Sequence, residues 1–283
     1  WPYEEDFWRA ERLAGIGAVC TKAISLRPRS GNRGIRIWET PAGVLNSIGL
    51  QNVGAKGFAE KYSEQVKGCP VPVIANVVME SAEETAETLS ILQDTALIAA
   101  AELNISCPNV DGDGMAWGME PSGAAAAVRA ARKAWKGELW VKMTPQSPCP
   151  QEVARAIEGE GADAIVAANT WLGMAMDMQS GKPAFDRVVA GLSGPAVFPL
   201  ALRLVWQVCG AVNIPVIGCG GVTAASDAAA MILAGASAVE VGTAFFRDLN
   251  AGAEISRGLE EYVSRYSCSS LKDLKGLARR EGA

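Results

Sequence analysis

"VPVIANVVMESAEETAETLSILQDTALIAAAELNIS", residues 71–106, carries two apolar runs on either side of an amphipathic segment. The runs "VPVIANVV" (71–78) and "AAELNIS" (100–106) lack polar alternation, the pattern of strands buried on both faces. Between them "SAEE" (81–84) has the spacing of a capping box and opens a predicted helix over 81–94. Strand, helix and strand in one short stretch imply parallel pairing through a right-handed crossover.

The same unit recurs along the chain. Further strands are predicted over "GAVCTKAI" (17–24), "LWVKMT" (139–144), "AIVAANT" (164–170), "IPVIGCGG" (214–221) and "AVEVGTA" (238–244). Amphipathic helices are predicted over 54–67, 121–135, 149–160, 199–212, 224–234 and 251–266. That makes seven strands, where a closed barrel of this type needs eight. The opening "WPYEEDFWRAERLAG" (1–15) is predicted to be a helix running straight into the first strand. The expectation is an α/β fold, a (β/α)8 TIM barrel lacking its first strand in this numbering. Residues 1–283 would form that single, N-terminally incomplete domain. The rival is an open, doubly wound sheet of seven strands. Residues 25–53 and 171–198 are long, rich in Gly and Pro and without clear periodicity. Both follow a strand and are expected as functional loops on the face where barrel enzymes hold their sites.

Composition narrows the chemistry. A net charge of −5 with no basic run gives no footprint for nucleic acid. No apolar stretch is long enough for a transmembrane helix. The seven cysteines are scattered without CxxC spacing, so reduced thiols, a cytoplasmic location and no metal site are expected. There is no histidine. Acid–base work falls to cysteine, lysine, carboxylate or tyrosine.

Lys22, Asn76, Asn104, Lys142, Asn169 and Thr170 fall at or near predicted strand ends, with Cys107 just beyond one of them. Singly, each reads as a solvated lysine or a turn-forming amide. Together, in a barrel, they converge on one mouth. Each amide offers donor and acceptor at once, which suits a planar ligand with alternating N–H and C=O groups. "GCGGV" (218–222) and "VGTAF" (241–245) end two successive strands, the recurrent place for a phosphate. A tight turn is the plainer reading of the paired glycines. Cys20, Cys209 and Cys219 are read as packing cysteines. Cys107 sits before Pro108 and a "DGDG" run (111–114), where a thiolate could act as general base.

"TPAGVLNSIGLQNVG" (40–54), "ELNISCPNV" (102–110), "VKMTP" (141–145), "ANTWLGMAMD" (168–177), "GLSGPA" (191–196), "IPVIGCGGV" (214–222) and "GASAVEVGTAFF" (235–246) resemble the dihydroorotate dehydrogenase catalytic subunit, most closely its class 1B, NAD-linked form. The resemblance implies an FMN-containing barrel oxidising (S)-dihydroorotate to orotate in pyrimidine biosynthesis. It makes Cys107 the base that takes a proton from C5, with hydride passing from C6 to the flavin. It assigns the substrate to Lys22, Asn46, Ser47, Ile48, Gly49, Leu50, Asn104, Asn109, Asn169 and Thr170. It assigns FMN to Lys22, Ala23, Asn76, Asn104, Lys142, Ala168 and Gly194, with the phosphate on Gly220, Gly221, Gly242 and Thr243. It also implies a homodimeric core with an FAD and [2Fe–2S] electron-transfer partner, a heterotetramer passing electrons to NAD. Phe198 and Cys219 depart from the pattern, which has a basic or polar residue and a methionine there. The alternatives are a fumarate-linked or other dihydropyrimidine flavin dehydrogenase, and a truncated, non-catalytic pyrimidine-binding homologue.

Overall fold

The computed structural model describes residues 1–94, 98–106 and 117–280, so Cys107 and Asn109 lie outside the described residues. In chain order the first half contains β1 (Val19–Cys20), β2 (Ile37–Thr40), β3 (Gly43–Asn46), α1 (Gly54–Lys67), β4 (Val73–Val78), α2 (Ala82–Asp94), β5 (Ala100–Asn104), α3 (Pro121–Ala134) and β6 (Glu138–Lys142). The second half contains α4 (Pro150–Gly159), β7 (Ala164–Ala167), β8 (Trp171–Met174), β9 (Met176–Asp177), β10 (Lys182–Pro183), β11 (Val189–Ser193), α5 (Phe198–Cys209), β12 (Val216–Cys219), α6 (Ala225–Leu233), β13 (Ala238–Glu240) and α7 (Ala251–Arg265).

All seven predicted strands form, shorter than their apolar runs, and they pair in parallel in the order β1-β4-β5-β6-β7-β12-β13. Each strand is added beside the one before it. A doubly wound sheet would reverse direction at a switch point; this one does not, and the rival reading falls. Each helix from α1 to α7 also packs on the next in sequence. This is the winding of a (β/α)8 barrel, and β1 and β13 are its unpaired edges among the described residues.

Local chemistry explains these elements. Every residue of β4 and β5 is buried, because helices cover one face and the barrel interior the other. Helix α3 starts with Pro121 in its first turn and buries Gly123, Ala124, Ala127, Val128 and Ala131, a helix-period stripe of small residues. The capping box forms in half. Ser81 Oγ accepts from the Glu84 N–H at 3.1 Å, while the Glu84 side chain turns to Arg27.

Two expectations need correction. Residues 1–15 are not an α-helix. Glu5–Trp8 makes one 3-10 turn, closed by indole N–H groups: Trp1 donates to the Phe7 carbonyl and Trp8 to the Pro2 carbonyl. The turn lets Tyr3 stack on Tyr62 of α1, with ring centroids 4.0 Å apart. The two long stretches are not wholly irregular either. They supply β2, β3, β8 and β11 to a four-stranded antiparallel sheet of order β2-β3-β11-β8, joining segments 145 residues apart at Asn46 and Gly191. Its own small core holds Leu45, Ala184, Phe185 and Ala190. Alternation is present in β2, but Ile37 faces out and Thr40 is half-buried, so chemistry does not track burial and the period of two is hidden.

Candidate active site

Two cavities adjoin, one at the carboxyl ends of the parallel strands and one inside the barrel between its edge strands β1 and β13. The first, of about 640 Å³, is lined by Lys22, Asn46, Ser47, Ile48, Gly49, Leu50, Asn104, Asn169 and Thr170. These are all the proposed substrate residues that fall among the described residues. Lys22 follows β1, Asn104 ends β5 and Asn169 and Thr170 follow β7, whereas residues 46–50 arrive from β3 of the antiparallel sheet. That sheet is thus a wall of the site.

The amides are fixed by one another. Asn169 Nδ2 donates to Asn104 Oδ1 at 3.3 Å and to Ser106 Oγ at 2.5 Å. Asn104 Oδ1 also accepts from the Ser106 N–H at 3.1 Å. Across the cavity, Asn46 Nδ2 donates to the Gly191 carbonyl at 3.2 Å. Such locked side chains lose little freedom when a ligand arrives. The turn over 47–50 needs its glycine. Gly49 has φ +72°, and a Cβ there would lie 2.5 Å from the Asn32 nitrogen. Lys22 is exposed, and its ammonium has no hydrogen bond or ion pair to another described residue. It is a cation free for an anionic ligand. Sequence reading missed Asn32, Ser106, Gln146 and Arg187, which also line this cavity. Only Ser106 carried a signal, through its place in "ELNISCPNV".

The second cavity, of about 620 Å³, runs inside the barrel from Asn104 and Lys142 to the residues ahead of β1, and Ala23, Asn104 and Asn169 belong to the walls of both. From the proposed flavin residues it also contains Asn76, Lys142 and Gly242. Ala168, Gly194, Gly220, Gly221 and Thr243 lie outside both walls, and Lys22 belongs to the first. Gly194 and Thr243 are nonetheless neighbours, since a Cβ on Gly194 would lie 3.5 Å from Thr243 Cγ2. At the end of β12, Gly221 has φ +75°, and a Cβ there would strike the Phe198 backbone at 2.7 Å, where α5 begins. Phe198, the departure noted above, therefore abuts the glycine turn through backbone, which any residue supplies.

Sequence reading also missed a charged cluster inside the barrel. Glu102 on β5 is fully buried and Glu240 on β13 partly so. Lys142 Nζ on β6 lies 2.6 Å from Glu240 Oε2 and 3.3 Å from Glu102 Oε1. Asn76 Nδ2 donates to Glu102 Oε1 at 2.5 Å, while Glu102 Oε2 is buried without a partner among the described residues. Burial pushes the Glu102 carboxyl up to about 8, with Glu240 adding to the rise and Lys142 opposing it. Burial also drives Glu240 upward, but Lys142 and its hydrogen bonds outweigh this and hold it below the ordinary carboxylate range. For Lys142 burial is unfavourable, yet both carboxylates keep the ammonium well above its usual range. Burial and mutual repulsion thus favour the proton on Glu102 and the negative charge on Glu240, which faces the Lys142 ammonium. The signal in the sequence was a glutamate within each of two strands read as buried, "AAELNIS" and "AVEVGTA".

The burial of Glu102 gives a stability prediction. The folded chain keeps the Glu102 proton to about pH 8, whereas an unfolded glutamate releases it near about 4.3. Between these values the unfolded state binds fewer protons, so stability falls as pH rises, by at most about 1.4 kcal/mol per unit for one group. Glu102→Gln removes that slope. Urea denaturation at pH 5.5 and 8 is expected to show the variant gaining on the wild type at the higher pH.

Parallel strands wound with their helices into a barrel, with a chamber at their carboxyl ends joined to one inside, define a barrel enzyme. One chamber is amide-lined and open to an anion, and the other holds a buried cation. The family model described as Dihydroorotate dehydrogenase matches residues 5–263. Among curated proteins, the dihydroorotate dehydrogenase B (NAD(+)) catalytic subunit of Trichlorobacter lovleyi is 46% identical over 274 residues, 97% of this chain and 90% of that protein. The protein of the same name from Porphyromonas gingivalis is 44% identical over 272 residues, 96% of this chain and 88% of that protein. A crystal structure of DHODH from Eimeria tenella, in complex with ferulenol, superposes with a TM-score of 0.80 at 19% identity, covering 94% of this chain and 80% of that one, a likeness of fold. The chain belongs to the dihydroorotate dehydrogenase family.

Proposed function

We propose that this chain oxidises (S)-dihydroorotate to orotate in pyrimidine biosynthesis, using bound FMN, and passes the electrons to NAD through a partner subunit. The observation that carries the reading is the convergence of nine residues from four separate chain segments, from Lys22 to Thr170, on one cavity that shares Asn104 with a second.

The residues suit these ligands. Lys22 meets the substrate carboxylate, and Asn46, Asn104, Asn169 and Thr170 face the alternating N–H and C=O groups of the ring, with the 47–50 backbone closing the side. Cys107 takes the proton from C5. Asn109 completes the amide set; it and Cys107 lie outside the described residues. FMN fits the deeper chamber on three counts. Its volume of about 620 Å³ is adequate. Asn76 and Lys142 offer donors, and the unpartnered Glu102 Oε2 marks an interior built around polar groups. Ala23 would pack beside the cofactor, whose phosphate would extend past the chamber's wall, beside Ala168 and Gly194, to backbone N–H groups of Gly220, Gly221, Gly242 and Thr243. When bound, FMN supplies the acceptor for the hydride leaving C6.

The reading treats residues 1–283 as one barrel domain in the cytoplasm, paired with a second copy and with an FAD and [2Fe–2S] electron-transfer subunit. Ile37, Leu172, Met174, Met176 and Val189 on the antiparallel segments are large, apolar and exposed, which favours a protein interface there. Among the described residues no helix is long and apolar enough to cross a membrane.

The test is an anaerobic absorbance spectrum of the FMN-reconstituted chain before and after dihydroorotate. A flavin spectrum that bleaches is expected. Flavin that stays oxidised would move the substrate elsewhere, and failure to bind FMN would overturn the cofactor. Turnover with fumarate by the chain alone would replace NAD as acceptor.

A further inference from the structure

We propose that Glu240 is a positioning residue for Lys142, holding its ammonium and supplying the counter-charge that keeps the electron affinity of the bound flavin low. The inference rests on the FMN reading and concerns a residue that reading does not use.

Three strands contribute. Lys142 rises from β6, Glu102 from β5, and Glu240 reaches them from β13 at the sheet's far edge, so the ion pair crosses the barrel interior. All three side chains line the deeper cavity. A lone lysine beside a flavin ring favours the reduced, negatively charged form. Lys142 is not alone. Its shorter contact, 2.6 Å, is to Glu240 and its longer, 3.3 Å, to Glu102. Glu102 is held protonated near neutrality, which leaves Glu240 as the carboxylate that balances the cation.

The arrangement is ill-suited to stability alone. A buried ion pair gains little over apolar packing, because desolvation of both charges offsets their attraction. Its effect on a neighbouring charge is large, because the interior screens weakly. With Glu240 in place a reducing pair arriving on the flavin meets an ammonium already neutralised. The reduced flavin is therefore a stronger donor, which suits onward transfer to a nicotinamide, the acceptor in the names of the relatives.

Removing Glu240 alone would let Glu102 ionise and replace the 2.6 Å contact only in part, from 3.3 Å. The decisive protein is thus the FMN-loaded double variant Glu102→Gln/Glu240→Gln, compared with Glu240→Gln, Glu240→Asp and wild type. Each is equilibrated anaerobically with a reference redox dye, and the ratio of reduced to oxidised flavin is read at one dye potential. The double variant is expected to raise that ratio at least tenfold, equivalent to about 30 mV for a two-electron couple. Glu240→Gln alone should raise it less, and Glu240→Asp, which keeps the carboxylate, should stay near wild type. A double variant within threefold of wild type overturns the inference while leaving the FMN reading intact. Wild-type protein that binds no FMN overturns the reading instead. If the double variant cannot hold flavin, Glu240→Gln decides: at least a threefold rise is expected, and an unchanged ratio overturns the inference.

Discussion

Cys107→Ser is expected to bind FMN and orotate as the wild type does, while substrate-dependent flavin bleaching slows by about 10²–10⁴-fold at neutral pH, the usual range for losing a general base. A histidine-free chain has few groups able to take a proton from carbon near neutrality. A thiol with an unperturbed pKa of about 8.5 can do so in its ionised fraction, and a hydroxyl far less. Stopped-flow absorbance under anaerobic conditions separates binding from reduction. Bleaching at the wild-type rate would remove Cys107 from the chemistry. In the wild type the rate should climb toward alkaline pH with a cysteine-like apparent pKa, and a flat profile would point to another base or to a conformational limit.

Lys142→Met has the second large expected effect, on the fold itself. It leaves Glu102 and Glu240 facing each other across the barrel without their cation. Breaking a buried pair by removing one partner typically costs about 3–5 kcal/mol, since the orphaned charge stays desolvated. Urea denaturation of the flavin-free chain near pH 7 should register a loss of that size. The double variant Lys142→Met/Glu240→Gln should recover most of it, because burial alone favours the neutral form of the remaining Glu102 carboxyl. A single variant as stable as the wild type would mean the cluster is solvated and interacts weakly. Recovery in the double variant would show that the loss came from charge and not from the shape of the lysine stem.

Strand and helix periodicity alone fixed much of the barrel. Apolar runs without alternation mark strands covered on both faces, and β4 and β5 bury every residue for that reason. Helix α1 forms over Gly54–Lys67, the predicted range, because local periodicity and a following glycine define both ends. The residues at strand ends were legible too, since parallel winding brings every strand's carboxyl end to one face. Asn104 and Asn169 could thus be placed together though 65 positions apart.

Other features were decided only in three dimensions. β3 meets β11 across some 145 residues, and the exposed Ile37 and half-buried Thr40 hide the alternation that would have revealed β2. The aromatic opening segment looks helical, yet tertiary stacking of Tyr3 on Tyr62 favours a single turn. Glu102 and Glu240 each read as an ordinary acid within an apolar run. Only the curling of the sheet brings both to one ammonium, and only burial there raises the proton affinity of one while the cation lowers that of the other. Sequence determined which residues lie inside and which strand ends face the mouth, because both follow from local periodicity and winding order. The charges that meet across the interior were set by tertiary structure, because electrostatic interaction depends on distance and desolvation, and neither is written in the spacing of residues.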